Sequence, residues 1–191
     1  MPNDTKTRSA ILAAAKDALI ETGYGSLSTR GIAERAGVPL SQIHYHFGSK
    51  QNLILEVLGE ENRMLLERQA RLYESELPLW KQWEQACDHL DDDLESGYVR
   101  VLQEMAAAGW SNQEIADAVR ANLSGWTDLL AETAERSGVD FGPFSAREVA
   151  ALAGAPFLGA ETMILLGFTE ADYPIRGALR KIGELLRRFE E

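Results

Sequence analysis

The stretch that most constrains this chain is residues 28–47, Ser-Thr-Arg-Gly-Ile-Ala-Glu-Arg-Ala-Gly-Val-Pro-Leu-Ser-Gln-Ile-His-Tyr-His-Phe. Ser28 is placed to cap a short helix, and Gly37 supplies the left-handed residue that ends it. Pro39 suits the first turn of a second short helix, Leu40 to Phe47. Ile32, Ala33, Ala36, Val38, Ile43 and Phe47 can all face one core. Ala33 is small enough to let the two helices cross closely. The second helix then leaves Leu40, Ser41, Gln42, His44, Tyr45 and His46 outside, with no acid among them. A helix laid in the DNA major groove needs such a set. Gln can pair bidentately with adenine, Ser can contact any base, and an apolar side chain can meet a thymine methyl.

The rest of the chain is helical in period, and no alternating strand is evident. Ile11, Leu12, Ala15, Ala18 and Leu19 mark a first helix that Gly23 stops. Ser49 can cap a long helix from Lys50 to about Tyr73. Beyond Leu77-Pro78 come a helix with Trp80, Trp83, Cys87 and Leu90 and another from Tyr98 to Gly109. A third is capped at Ser111 and stops near Gly138. Ser145 and Glu148 form a capping box for an apolar helix, and Pro174 opens the last one. The expectation is an all-α chain of about nine helices, divided into residues 1–50 and 51–191. Val149 to Phe168 has the length of a membrane span. Pro156 and Glu161 interrupt it, and it lacks aromatic belts and a basic flank, so a core or interface helix is the better reading.

Charge separates the two parts. The 191-residue chain has a formal charge of −11. Residues 1–50 hold six bases (Lys6, Arg8, Lys16, Arg30, Arg35, Lys50) and four acids (Asp4, Asp17, Glu21, Glu34), a net of +2. The remaining thirteen bases and twenty-six acids give −13. The field at a contact face is local, so an acidic total does not exclude a nucleic-acid partner. A single cysteine, Cys87, excludes an intramolecular disulfide framework. No apolar leader follows the first residues, and the cytoplasm is the expected compartment.

Together, Gly23-Tyr24, Ser28-Thr29-Arg30-Gly31-Ile32-Ala33, Ala36-Gly37-Val38 and Ile43-x-x-x-Phe47-Gly48-Ser49-Lys50 resemble the TetR family of bacterial transcriptional regulators, over roughly residues 5–55. The resemblance implies an all-α homodimer. Its three N-terminal helices bind a double-stranded DNA operator, and its variable C-terminal bundle binds a small-molecule effector. Ser28, Thr29 and Arg30 are then expected at phosphate, where a helix N-terminus favours an anion. Lys50 is expected to be the principal phosphate contact. Leu40, Ser41, Gln42, His44, Tyr45 and His46 are expected at the groove. Two positions depart from the family pattern: His44 stands where Tyr is usual, and Gly31 replaces a residue that is usually acidic or polar. Lys6 and Arg8 form either a loose DNA-binding arm or a solvated tail, and Arg35 could equally be a surface charge.

In the C-terminal part, Trp83, Met105, Trp126, Phe157 and Glu161 are candidate lining for an apolar or amphipathic effector; each aromatic could equally be plain core. Glu104 and Glu161 could receive a ligand or be structural. The stripe Ile175-Leu179-Ile182-Leu186-Phe189, with the small residues Ala153, Gly154 and Ala160 of the preceding helix, is expected to form a two-fold, four-helix interface. No cofactor or metal is expected. His44 and His46 point apart on a helix, Asp91-Asp92-Asp93 reads as a solvated face, and no Glu-x-x-His, Walker A, Gly-x-Ser-x-Gly or Rossmann motif occurs. The expectation is a ligand-responsive repressor and not an enzyme. A helical-bundle enzyme and a dimeric scaffold without DNA binding are the alternatives.

Overall fold

The computed structural model describes residues 2–190. These form α1 (Pro2–Ser26), α2 (Thr29–Ala36), α3 (Leu40–Phe47), α4 (Lys50–Tyr73), α5 (Leu79–Ser96), α6 (Tyr98–Gly109), α7 (Gln113–Ser137), α8 (Ala146–Leu165) and α9 (Ile175–Glu190), with no strand among the described residues. Two compact units emerge. The first is the chain up to Arg63 with Arg100–Arg120; the second is Met64–Val99 with Ala121–Glu191. The first unit thus takes in more than residues 1–50, and α4, α6 and α7 each have residues in both.

The first unit buries the apolar periods read from the sequence. Ile11, Leu19, Ile32, Ile43, Leu53, Ile54, Leu58, Met105 and Ile115 are all nearly inaccessible. Gly23 (φ 74°, ψ 162°) breaks α1 at the expected stop, and a short helical stretch to Ser26 follows the kink. The break exposes backbone donors, and Glu104 serves them: its Oε2 accepts the Tyr24 N–H at 2.9 Å. Its Oε1 is held by Arg100 at 2.7 Å. Glu104 is therefore a structural carboxylate. Asn112, and not Ser111, caps α7, with Oδ1 accepting the Ile115 N–H at 3.2 Å.

The second unit is organised around Leu72, Tyr73, Ala86, Cys87, Leu90, Phe157, Ala160 and Leu179. α5 and α9 lie side by side. They are close enough that a Cβ on Gly183 would be in van der Waals contact with Trp83 at 3.4 Å. Arg180 pairs with Asp88 at 2.6 Å and Arg176 with Asp91 at 2.9 Å along the same seam.

This packing draws Leu179, Ala160 and Gly154 of the expected dimer surface into the chain's own core. Leu179 and Ala160 are 1% exposed within their own chain. Ile175 and Ile182 pack on the same core. Gly154 receives the Trp126 ring, which a Cβ would meet at 3.0 Å. Leu179 of that stripe is thus taken up in covering α5, while Ile175, Ile182 and Leu186 stay half-buried. Phe189 alone of the expected stripe is largely exposed, at 67%. Leu152, Leu166 and Leu185 are exposed with it. α8 is long and apolar enough to cross a membrane. Here Ala150, Gly154, Phe157, Ala160 and Glu161 are its buried face. The Ser145–Glu148 capping box starts it as expected.

Candidate nucleic-acid interface and ligand pocket

The turn that presents α3 is built from short-range bonds. Ser28 Oγ accepts the Gly31 N–H at 3.1 Å and so caps α2. Gly37 takes the left-handed conformation (φ 66°, ψ 31°) that no β-carbon favours. Its N–H and that of Val38 return to α2 carbonyls. Pro39 enters α3 with no donor to waste. Ser49 then caps α4, accepting the Asn52 N–H at 3.0 Å. Ile43 and Phe47 anchor α3 in the core, and this fixes which side chains remain outside.

Those are Leu40, Ser41, His44 and Tyr45, with Gln42 half-buried at their edge. Tyr45 is 73% exposed. His46 is not among them. Its side chain is only 6% exposed, and Nε2 lies 3.5 Å from Asp4 of α1. Position 46 follows Ile43 by three, so it shares the inward side of α3. His44 is outside but tethered, with Nδ1 3.2 Å from the Gly48 carbonyl.

The basic side chains of residues 1–50 are almost all engaged. Lys50 Nζ donates to the Tyr24 and Leu27 carbonyls, each at 3.1 Å, and sits 4.5 Å from the Tyr24 ring centroid. It clamps the α1–α2 connection, a role that spacing alone did not reveal. Arg8 pairs with Glu56 and lies over the Phe47 ring. Lys6 and Arg8 both belong to α1, so neither is part of a loose arm. Lys16 pairs with Glu61 at 2.7 Å. Arg30 is paired with Glu34 at 3.1 Å on the surface. Arg35 grips Glu21, and the hydrogen bond holds that carboxyl below its ordinary range. Among the described residues, Lys6 is the cation of this group without a pair.

In the second unit, Trp83, Trp126 and Phe157 do come together. Ring centroids are 5.3 Å apart for Trp83–Phe157 and 6.2 Å for Trp126–Phe157, both edge-on. Phe157 is buried core, and Trp83 and Trp126 pack partly buried against it. Trp83 Nε1 donates to the Leu179 carbonyl at 2.7 Å. Burial pushes the pKa of the neighbouring Tyr73 hydroxyl far up. Glu161 is buried in the same unit, whereas Met105 belongs to the core of the first unit. The open cavity lies beside this cluster. It measures about 260 Å³ and is walled by Trp83, Leu130, Phe141, Phe144, Ile182 and Leu186 among others. Phe141 and Phe144 come from the α7–α8 loop, which periodicity passes over. Among the described residues no group of three His, Cys, Asp or Glu side chains is arranged to hold a metal ion.

Residues 11–57 match the family model of bacterial regulatory proteins, tetR family. The N-terminal head is a TetR-family domain. Solved structures with the same fold extend the likeness along the chain. A transcriptional regulator from Saccharomonospora viridis, in complex with choline, is 22% identical with a TM-score of 0.81, covering 94% of this chain and 96% of its own. A TetR-family regulator from Agrobacterium tumefaciens is 21% identical, TM-score 0.78, with 97% and 98% covered. FadR from Bacillus subtilis, in complex with stearoyl-CoA, is 18% identical, TM-score 0.78, with 93% and 96% covered. No curated protein sequence matches the chain. Both departures of this TetR-family head have a local account. Gly31 lies under its own cap, where a Cβ would stand 3.2 Å from Ser28 Oγ. His44 is tied to the helix end, which leaves the neighbouring Tyr45 free to reach outward.

Proposed function

We propose that this protein is a cytoplasmic, homodimeric transcriptional repressor that leaves a pseudo-palindromic operator when a small molecule binds the second unit. The observation that carries this reading is the outer edge of α3. A family-matched helix-turn-helix presents Leu40, Ser41, Gln42 and an exposed Tyr45 with no acid among them. Gln42 and Ser41 read bases; Tyr45 and the α2 start at Ser28, Thr29 and Arg30 hold phosphate. Lys50 positions the α1–α2 connection, and any phosphate contact it makes uses its remaining donor.

Two copies pair through the exposed apolar positions of α8 and α9, Leu152, Leu166, Leu185 and Phe189. The apolar cavity beside Trp83 takes the effector. Support for a ligand comes from relatives of the same fold that hold choline and stearoyl-CoA. α4 carries residues of both units and is the natural link between ligand and DNA. The coupling is the ligand's differential affinity for two states, typically about 1–3 kcal/mol.

The test is a gel-shift titration on the DNA upstream of the protein's own gene. Binding that is specific and retards as a dimer supports the proposal; binding no tighter than to random DNA overturns it. Leu185→Asp with Phe189→Asp should give a folded monomer in sedimentation and lose the shift. Ile182→Asp is no test of dimerisation, because it breaks the core beneath α9.

A further inference from the structure

A second cavity adjoins the first. It measures about 460 Å³, and the two share Tyr73, Leu79, Gln82 and Thr133 in their walls. Their characters differ. The first is aromatic and aliphatic. The second is lined by Glu74, Glu76, Glu190 and a single cation, Arg136. Arg136 is already engaged, donating to the Tyr73 carbonyl at 3.2 Å and to Thr133 Oγ1 at 3.3 Å. Glu190 is engaged too, accepting the Leu79 and Trp80 N–H groups at the start of α5. The Glu74 and Glu76 carboxylates have no hydrogen bond or ion pair among the described residues. Three carboxylates against one guanidinium leave the cavity negative, which repels an anionic head group and favours a cation.

Gln82 adds a directional requirement. It is 7% exposed, and its Nε2 donates to the Leu77 carbonyl at 2.8 Å and the Ser75 carbonyl at 3.4 Å. Two carbonyl acceptors fix the amide orientation, because the amide oxygen could not occupy that place. Its Oε1 is left buried with no partner. A buried acceptor without a donor is costly, and a ligand that brings an N–H or O–H recovers that cost.

We propose that the two cavities form one site for a primary alkyl- or arylalkyl-ammonium ion. The apolar part lies beside Trp83, Phe141 and Phe144. The ammonium donates to Gln82 Oε1, with its charge among the carboxylates of the second cavity. This assigns the effector class, and so it rests on the ligand-responsive reading above.

The experiment is calorimetric titration of the full chain with four probes of equal chain length: octylammonium, octyltrimethylammonium, 1-octanol and octanoate, each below its aggregation concentration. Octylammonium should bind tightest, by about tenfold over octyltrimethylammonium, which keeps the charge and lacks the N–H. Octanoate should bind weakest. Gln82→Met should erase the difference between the primary and quaternary ions. Glu74→Gln with Glu76→Gln, at exposed positions that leave the fold intact, should narrow the gap between octylammonium and 1-octanol. Octanoate binding as tightly as octylammonium, an undiminished preference in the Glu74/Glu76 variant, or no binding of any probe overturns the proposal. Should Gln82→Met fail to fold, the probe series and the carboxylate variant still decide. A parallel gel shift separates the two readings. Selective octylammonium binding without release of DNA leaves the site standing and removes its regulatory role; release of DNA by a different class of molecule does the reverse.

Discussion

The helix-turn-helix and the second unit are held together over different distances along the chain. In the former, Ser28 bonds Gly31, Val38 bonds Ala33, Gln42 bonds Pro39 and Asn52 bonds Ser49, steps of three to five residues. In the latter, Trp83 bonds Leu179, Leu79 bonds Glu190 and Arg68 bonds Asp93. Short-range bonds make a recognition surface whose shape survives changes to its outer side chains. Long-range bonds make a cavity whose walls come from six separate segments, so almost any change there is felt by several helices at once.

The largest expected effect falls in the long-range unit. Leu179→Ala should lower stability by about 2–5 kcal/mol in urea unfolding followed by tryptophan emission, since the lost volume lies between α5 and α9. A neutral result would mean that seam is loosely packed. Gln42→Ala belongs to the short-range region and should leave stability almost untouched. It should instead relax base preference, by about 1–3 kcal/mol between best and mismatched sites. Unchanged sequence preference with weaker affinity would make Gln42 a positioning residue.

Gly37→Ala should cost roughly 1–2 kcal/mol, purely for a β-carbon at positive φ. Nothing lies within 4 Å of the added carbon, so packing adds nothing to the cost. A much larger loss would show that the turn is strained beyond its own backbone.

Surface charge should matter less. Glu21→Gln with Glu34→Gln frees Arg35 and Arg30 from exposed pairs that add little to stability. Melting should barely move, while DNA affinity rises a few-fold at low salt and the gain fades at high salt. No gain would place both arginines away from the phosphates. The smallest effect concerns pH. Burial, and then the Arg68 charge, hold the His89 pKa below its ordinary value of 6.5. The unfolded chain therefore binds this proton first, and stability falls as pH drops through 6.5 toward the lower folded value. His89→Asn should flatten that part of the stability–pH curve; an unchanged slope would assign it to the carboxylates.

The nine helices of the described residues, the caps at Ser28, Ser49 and Ser145 and the turn at Gly37 were legible because each rests on residues a few positions apart; the cap of α7 was expected one residue early, at Ser111. Capping, left-handed glycine and apolar period are local physics, and α3, α4, α5 and α6 fall where those signals put them. The same physics marks Leu40, Ser41, Gln42 and Tyr45 as the outer edge of α3. Other positions could be settled only by partners far along the chain. Lys50 turns to the Tyr24 and Leu27 carbonyls, and His46 turns inward beside Asp4. Leu179 of the α9 stripe is absorbed into the core with α5, and Gly154 makes room for Trp126. An apolar stripe states that a face must be covered; it does not state by what. That choice depends on which surfaces the fold brings within a few ångströms, and periodicity carries no information about them.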